Sequence, residues 1–452
     1  MPGRLIESLA TTEALAELFS DESVLRAMLQ FEVALARAEA KLDIIPRTAA
    51  EVIAKAAAHV EAFNVPALVS DTLRAGTPGI PLAKALREAV RAHDAKAADY
   101  VHFVATSQDV ADSAIVLLLK RSLQLIEADI ARAERALRRL AERHRGTVML
   151  ARTLLQPAPP VTFGLKAAGW YATIRRSRRR LAEAFSDALV LQFGGASGTL
   201  AALGQRGAVV AQALADELGL VCPDAPWHTH RDRMAALMCA CGVLTGSLGK
   251  IARDISLLMQ SEVEELAEAA SEGRGGSSTM PHKQNPIGCA VILATAERVP
   301  GLVSSYLAAM VQEHERALGG WQSEWPVIAG IIQSTGVAAA SMAEVSEGLE
   351  VNATRMAANI DATLGTIFAE KAMLLLSEKM GRTAAQELLE RASRTALSEH
   401  KSLAAVLGDM PSVAQNLTPT TLHQLEAPQE YLGMAGTFQT ALLASNDREQ
   451  ED

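Results

Sequence analysis

Two short stretches of the chain carry residue types able to do chemistry. The first is Gly273-Arg274-Gly275-Gly276-Ser277-Ser278-Thr279-Met280-Pro281-His282-Lys283-Gln284-Asn285-Pro286. Its three glycines allow movement, while Pro281 and Pro286 bracket a stiffer stretch, and hydroxyls, an imidazole, an ammonium and an amide crowd together. A mobile entry joined to a dense polar cluster suits a loop that closes over a polar substrate. An ordinary polar connection between helices has the same composition. The second stretch is Thr106-Ser107-Gln108-Asp109, at the head of a long run without Gly or Pro. Thr106 with Asp109 three residues later resembles a capping box, and hydroxyls at a helix start can present donors to an anion where the helix dipole also favours negative charge. A cap with no further role is the plainer alternative.

The first stretch decides between these readings. Gly276-Ser277-Ser278-Thr279-Met280-Pro281-His282-Lys283-Gln284-Asn285-Pro286 is similar to the signature loop of the fumarase/aspartase superfamily, which includes adenylosuccinate lyase, argininosuccinate lyase and the bacterial 3-carboxy-cis,cis-muconate cycloisomerases. The resemblance implies that Ser277 transfers a proton at the carbon next to a carboxylate. It implies that Lys283 and Asn285 steady the loop and the negative charge developing there, with Met280 among the substrate contacts. Thr106-Ser107-Gln108-Asp109 resembles the T-S-x-D element of the same superfamily, whose residues bind a substrate carboxylate. His102 matches a family histidine, while Val104 stands where a glycine is more usual.

A third stretch separates two chemistries. Ala151-Arg152-Thr153-Leu154-Leu155-Gln156 resembles the family segment in which Thr, His and Gln stand at the positions of Thr153, Leu154 and Gln156. In the lyases that histidine helps to protonate a departing amine or hydroxyl, which such poor leaving groups need. Leucine cannot do so. A carboxylate, with an ordinary pKa near 4, needs no base to become a nucleophile at pH 7. A reaction whose nucleophile is the substrate's own carboxylate can therefore dispense with the histidine.

Two further stretches look like the muconate cycloisomerase branch: Pro226-Trp227-His228-Thr229-His230-Arg231-Asp232-Arg233, with His230 where a Gln is usual, and Gln312-Glu313-His314-Glu315-Arg316 through Trp321. The resemblance adds His228 to the substrate contacts. It makes Arg231, Arg233 and Arg316 candidates to offset a substrate of charge −3, the alternative for each being a structural ion pair.

The elements that must position these residues are helical. Hydrophobic residues make up 49% of the 452 residues but aromatic ones only 4%, so the core is built from the small and aliphatic residues that long helices favour. Leu119, Leu123, Ile126, Ile130, Ala133, Leu137 and Leu140 recur at spacings of four and three in the run Asp109 to Arg145. This predicts a helix about 55 Å long with a coiled-coil-type stripe. Further long helices are expected over Gly164 to Gln192, Asp232 to Ala270, Ile287 to Leu318 with an interruption at Pro300, and Pro326 to Leu349, lying side by side as an extended bundle. Gly242, Gly246 and Gly249 are expected to permit close helix contact. No strand pattern competes, although a short hairpin could sit in the loops.

Charge and cysteine content exclude several functions. With 43 Lys and Arg against 52 Asp and Glu the net charge is −9, which disfavours a general nucleic-acid binder. The basic run Arg175 to Arg180 is expected to pair with the acidic stretch Glu262 to Glu272. The four cysteines form no framework, and His228-Thr229-His230 with the glutamates downstream gives no metal spacing. No stretch approaches 18 uninterrupted apolar residues, so a cytoplasmic protein with no membrane segment is expected.

The expectation is an all-α protein with a fumarase/aspartase-like fold: an N-terminal helical domain over 1–105, a central long-helix bundle over 106–351 and a C-terminal helical domain over 352–452. The resemblance implies a cofactor-free homotetramer. Its substrate would be a small tricarboxylate, 3-carboxy-cis,cis-muconate, or an analogue such as a sulfonated muconate, closed to 4-carboxymuconolactone in aromatic-acid catabolism. An adenylosuccinate-type lyase releasing fumarate and a non-catalytic member of the superfamily are the competing readings.

Overall fold

The structure, a computed structural model, describes residues 5–269, 275, 276, 280 and 283–444. Ser277, with Ser278, Thr279 and His282 of the same loop, lies outside the described residues. The first helices are α1 (Glu13–Leu18), α2 (Asp21–Lys41), α3 (Arg47–Ala57), α4 (Val65–Ala75), α5 (Gly79–Arg91) and α6 (Ser107–Arg143). A hairpin of β1 (Val148–Thr153) and β2 (Gln156–Thr162) follows, then α7 (Phe163–Ala188), α8 (Gly207–Leu218), α9 (Asp232–Leu258), β3 (Leu266–Ala267), α10 (Ile287–Ala309), α11 (Gly320–Glu347) and β4 (Glu350–Val351). The chain ends in α12 (Ala353–Asp361), α13 (Ala369–Met380), α14 (Arg382–Glu399), α15 (Leu403–Gly408), α16 (Pro411–Ala414), α17 (Pro419–Leu425) and α18 (Ala435–Ala444). The chain divides into two compact units. Unit 1 comprises Met1–Ala131, Arg176–Gly249 and Val291–Met342, and unit 2 comprises Arg132–Arg175, Lys250–Ala290 and Ala343–Asp452.

In unit 1, the Ser20 hydroxyl accepts from Ser23 N at the start of α2, Asp21 and Glu22 occupy its first turn and Lys41 its last. Charge thus complements the dipole at both ends. The helix buries Leu25, Met28, Phe31 and Leu35 and packs against α3 and α8. Each such side chain contributes about 1.5–3 kcal/mol. Gly242 and Gly249 of α9 allow the close contact expected of them, because a Cβ there would fall 3.3 Å from Val303 Cγ2 and 2.5 Å from Ala296 Cβ of α10. Gly246 faces nothing within 4 Å. Arg178 donates to Glu127 Oε1 at 2.6 Å, so one arginine of the basic run pairs with α6.

The stripe on α6 is buried at Leu119, Ile126, Ile130, Ala133, Leu137 and Leu140. Pro300 and Pro326 both lie inside helices, so α10 passes its proline and α11 begins six residues earlier than the sequence suggests. Among the described residues three helices, α9, α10 and α11, are long and apolar enough to cross a membrane by length and composition alone. The expectation based on uninterrupted runs did not register them, because scattered polar residues break the runs without lowering the average. The protein interior buries 61% and 67% of the most apolar windows of α9 and α11, but only 28% of that of α10.

Unit 2 contains the hairpin, antiparallel from Val148↔Thr162 to Thr153↔Gln156 with an irregularity between Leu150 and Ala151. Leu150 belongs to a core with Ile360, Phe368, Leu376, Leu388 and Leu407. Helix α9 stops at Leu258, twelve residues short of the expected end. Beyond it, the buried carboxylate of Glu265 takes a two-pronged hydrogen bond from Arg152, at 3.0 and 2.8 Å, and a third from Asn359 at 2.8 Å. Leu266 then pairs with Val351. These partners pull the chain out of the helix, since a buried carboxylate is costly without them.

Candidate active site

The head of α6 in unit 1 gathers several of the expected residues. Thr106 N donates to Asp109 Oδ2 at 3.0 Å, which is the carboxylate half of a capping box. The same carboxylate, wholly buried, accepts from Gly194 N at 3.0 Å, Gly195 N at 2.9 Å and His228 Nε2 at 2.7 Å. Asp109 therefore ties two loops to the start of α6. Gly194 must be a glycine here, because a Cβ would fall 2.8 Å from His228 Cε1.

Arg316 reaches this point from the loop between α10 and α11. It donates to Thr106 Oγ1 at 3.0 Å, Gln108 Oε1 at 3.2 Å and Gly195 O at 3.3 Å. All three acceptors are neutral, so the guanidinium is held in place with no carboxylate hydrogen-bonded to it among the described residues. An arginine fixed in this way beside a helix N-terminus can take an anion in a charge-assisted contact.

Arg231 is the opposite case and corrects its expected role. It is 2% exposed, donates to Asp112 at 2.8 and 3.2 Å and to Glu324 at 2.6 and 3.1 Å, and stacks on Trp227. Two carboxylates consume its charge, so it braces the protein and is out of a substrate's reach. Asp112 also accepts from Gln108, Gln192 and Trp321. Gln108 and His228 are likewise buried. The Gln108 amide donates to Asp112 and to His228 O while its oxygen holds Arg316. Both are supports where direct substrate contacts were expected. Replacing Arg231 by methionine strands Asp112 and Glu324 as buried carboxylates. We expect a loss of about 3–5 kcal/mol in denaturant unfolding, with no activity peculiar to the variant once it is folded at low temperature.

His102 Nδ1 lies 2.6 Å from Glu32 Oε1. Burial works against a charge on the imidazole, but the Glu32 carboxylate and, further off, Asp109 outweigh it and raise the pKa above its ordinary value. His102 and Val104 both have positive φ, 59° and 61°. Val104 thus keeps the left-handed backbone that a glycine would adopt freely, at a strain of roughly 1–3 kcal/mol. Ser107 is half-buried and touches the start of α5. A Cβ on Gly79 would fall 2.7 Å from Ser107 Cα.

In unit 2, Thr153 and Gln156 close the hairpin and are exposed. Between them Leu154 and Leu155 have φ of 49° and 64° and are 97% and 74% exposed. Two leucines occupy a tight turn that usually takes Asn-Gly. On the signature loop, Asn285 N and Nδ2 both donate to Gly275 O, at 3.0 and 3.2 Å. Gly275 has φ of 73° and a Cβ there would meet Asn285 O at 2.8 Å, so the two positions require each other. Lys283 N donates to Met280 O. The Lys283 side chain is exposed and Met280 is 43% exposed. Glu268 accepts from Gly288 N and Cys289 N, which fixes the start of α10 just past the loop.

Residues 7–301 match a family model described as lyase, and residues 365–441 one described as adenylosuccinate lyase C-terminus. The chain belongs to the lyase family of the fumarase/aspartase superfamily. Within this family it is 46% identical, over 98% of both chains, to a 3-carboxy-cis,cis-muconate cycloisomerase of Bradyrhizobium diazoefficiens. It is 48% identical to one of Pseudomonas aeruginosa, over 95% of this chain and 93% of that one. The crystal structure of the 3-carboxy-cis,cis-muconate lactonizing enzyme from Pseudomonas putida superposes with a TM-score of 0.93 at 44% identity, covering 99% of this chain and 100% of that one. Among the residues that hold this lyase-family site, Asp112, Glu324, Glu32 and Gly79 escaped the sequence reading. The three acids sit in regular helical pattern, which gives no signal of their partners.

Proposed function

We propose that the protein closes 3-carboxy-cis,cis-muconate, or a muconate with another anionic 3-substituent, to the corresponding muconolactone. One carboxylate oxygen adds to a ring-forming carbon of the diene, β to a second carboxylate. The electron pair moves into that second carboxylate, and the α-carbon then takes a proton. One C–O and one C–H bond form, the π bond of one C=C and one O–H bond of the proton donor are lost, and the donor regains its proton from solvent, so the net reaction takes up one proton and no other reactant. Closure within one molecule gains from proximity, so positioning supplies much of the rate.

Near-complete identity in length with the two cycloisomerases supports this reading, and the observation that carries it is Leu154, an exposed leucine at the hairpin tip where lyases of the superfamily have their histidine. Ser277 is the proton donor of the proposal, with Lys283 and the Asn285-braced loop stabilising the enolate-like intermediate. Arg316, Thr106 and Ser107 receive a substrate carboxylate, Thr153 and Gln156 contribute from the hairpin, and Met280 lines the loop. Adding purified protein to 3-carboxymuconate is expected to bleach the diene absorbance. No loss of absorbance with any 3-substituted muconate overturns the proposal.

A lyase releasing fumarate is the second reading, favoured by the match of residues 365–441 and opposed by Leu154. We also propose that the protein is a homotetramer, supported by the largely uncovered apolar length of α10. Sedimentation as a monomer at micromolar concentration would contradict this.

A further inference from the structure

Glu32 sits on α2, seventy residues before His102, and is 2% exposed. Its Oε1 takes the only hydrogen bond that His102 makes among the described residues, through Nδ1 at 2.6 Å, which leaves Nε2 without a protein partner there. The His102 side chain is 14% exposed, and its backbone is held at φ 59°. A buried carboxylate on one ring nitrogen and an open second nitrogen form an arrangement suited to holding a ligand. The charged groups around the ring are Glu32 on α2, Asp109 on α6 and Arg87 on α5. Asp109 is already matched by three backbone amides and His228. Two turns further along α2, Glu39 is buried with neither oxygen hydrogen-bonded. Burial, with the Glu32 charge adding to it, pushes its pKa up to about 9, so Glu39 is neutral at pH 7 and does not compete for the imidazole.

We propose that Glu32 is a positioning residue for the lactonisation: it grips His102 by Nδ1, orients the ring and so aims Nε2 at a substrate carboxylate, to which the protonated ring donates. The proposal rests on the function proposed above. The sign of its pH dependence follows from the pairing. Because Glu32 favours the charged ring, carboxylate binding is retained at low pH and lost as pH rises through the folded-state pKa of His102. Without the Glu32 charge that loss comes at lower pH.

The test is the pH profile of Glu32→Gln, which keeps an acceptor for Nδ1–H but removes the charge. At pH 8 its KM should rise at least about tenfold with kcat little changed, and the midpoint of the loss should move to at least about tenfold higher proton concentration. Lowering the pH should restore KM, and Glu32→Asp should restore part of it at pH 8. An equal loss at every pH, or an unchanged profile, overturns the proposal. The ligand-free wild-type enzyme provides a second readout by NMR titration of His102. A pKa at the ordinary value of about 6.5 overturns the pairing even if the variants do not fold. Because that titration uses no substrate, failure of wild-type turnover on muconates would mark the functional reading, and not the Glu32–His102 pairing, as the part at fault.

Discussion

Ser277→Ala is expected to lower the rate of lactone formation by about 10²–10⁴-fold, the usual contribution of a positioned proton donor, with KM little changed. The reasoning starts from the product. Ring closure leaves a proton to be delivered to carbon, a transfer that water performs slowly and a hydroxyl at contact distance performs well. Binding of the three anionic groups does not need the serine, so the loss belongs in kcat. Stopped-flow loss of diene absorbance measures it. A variant that keeps full kcat would remove Ser277 from the mechanism and assign the proton transfer to another group.

Arg316→Met should reduce kcat/KM by about ten- to 150-fold, the equivalent of about 1.5–3 kcal/mol for a hydrogen bond to a charged group. The argument is the contrast with Arg231. Arg231 lies between Asp112 and Glu324, whereas among the described residues Arg316 donates only to Thr106 Oγ1, Gln108 Oε1 and Gly195 O. An arginine neutralised by two carboxylates has little left for a ligand, while one supported by neutral oxygens keeps its charge. Arg316→Lys should recover only part of the loss, because an ammonium cannot reproduce the planar fork. Steady-state kinetics with intact thermal stability would confirm the assignment, and an unchanged kcat/KM would make Arg316 a brace like Arg231.

The long helices were legible because apolar periodicity survives in α6 from Leu119 to Leu140, and the loop chemistry because the signature residues are contiguous. What stayed hidden depends on partners distant in sequence. Nothing near Arg231 announces Asp112 or Glu324, so its guanidinium looked as available as that of Arg316. The early end of α9 depends on Arg152 reaching Glu265 across more than a hundred residues. Pro300 and Pro326 suggested helix boundaries, and tertiary packing overrode them. Val104 illustrates the same limit for the backbone: its side chain argues against a left-handed conformation, yet its neighbours impose one.

The reading as a cycloisomerase depends on an anionic oxygen of the substrate acting as the nucleophile, so that position 154 needs no imidazole. Leu154→His tests this most directly, since the turn is exposed and histidine tolerates its positive φ better than leucine. With 3-carboxymuconate as substrate, the variant should form lactone within a few-fold of the wild-type rate, and neither protein should release fumarate from adenylosuccinate. A gain in lactonisation of several powers of ten on introducing the histidine, or rapid fumarate release by the unaltered protein, would contradict the account.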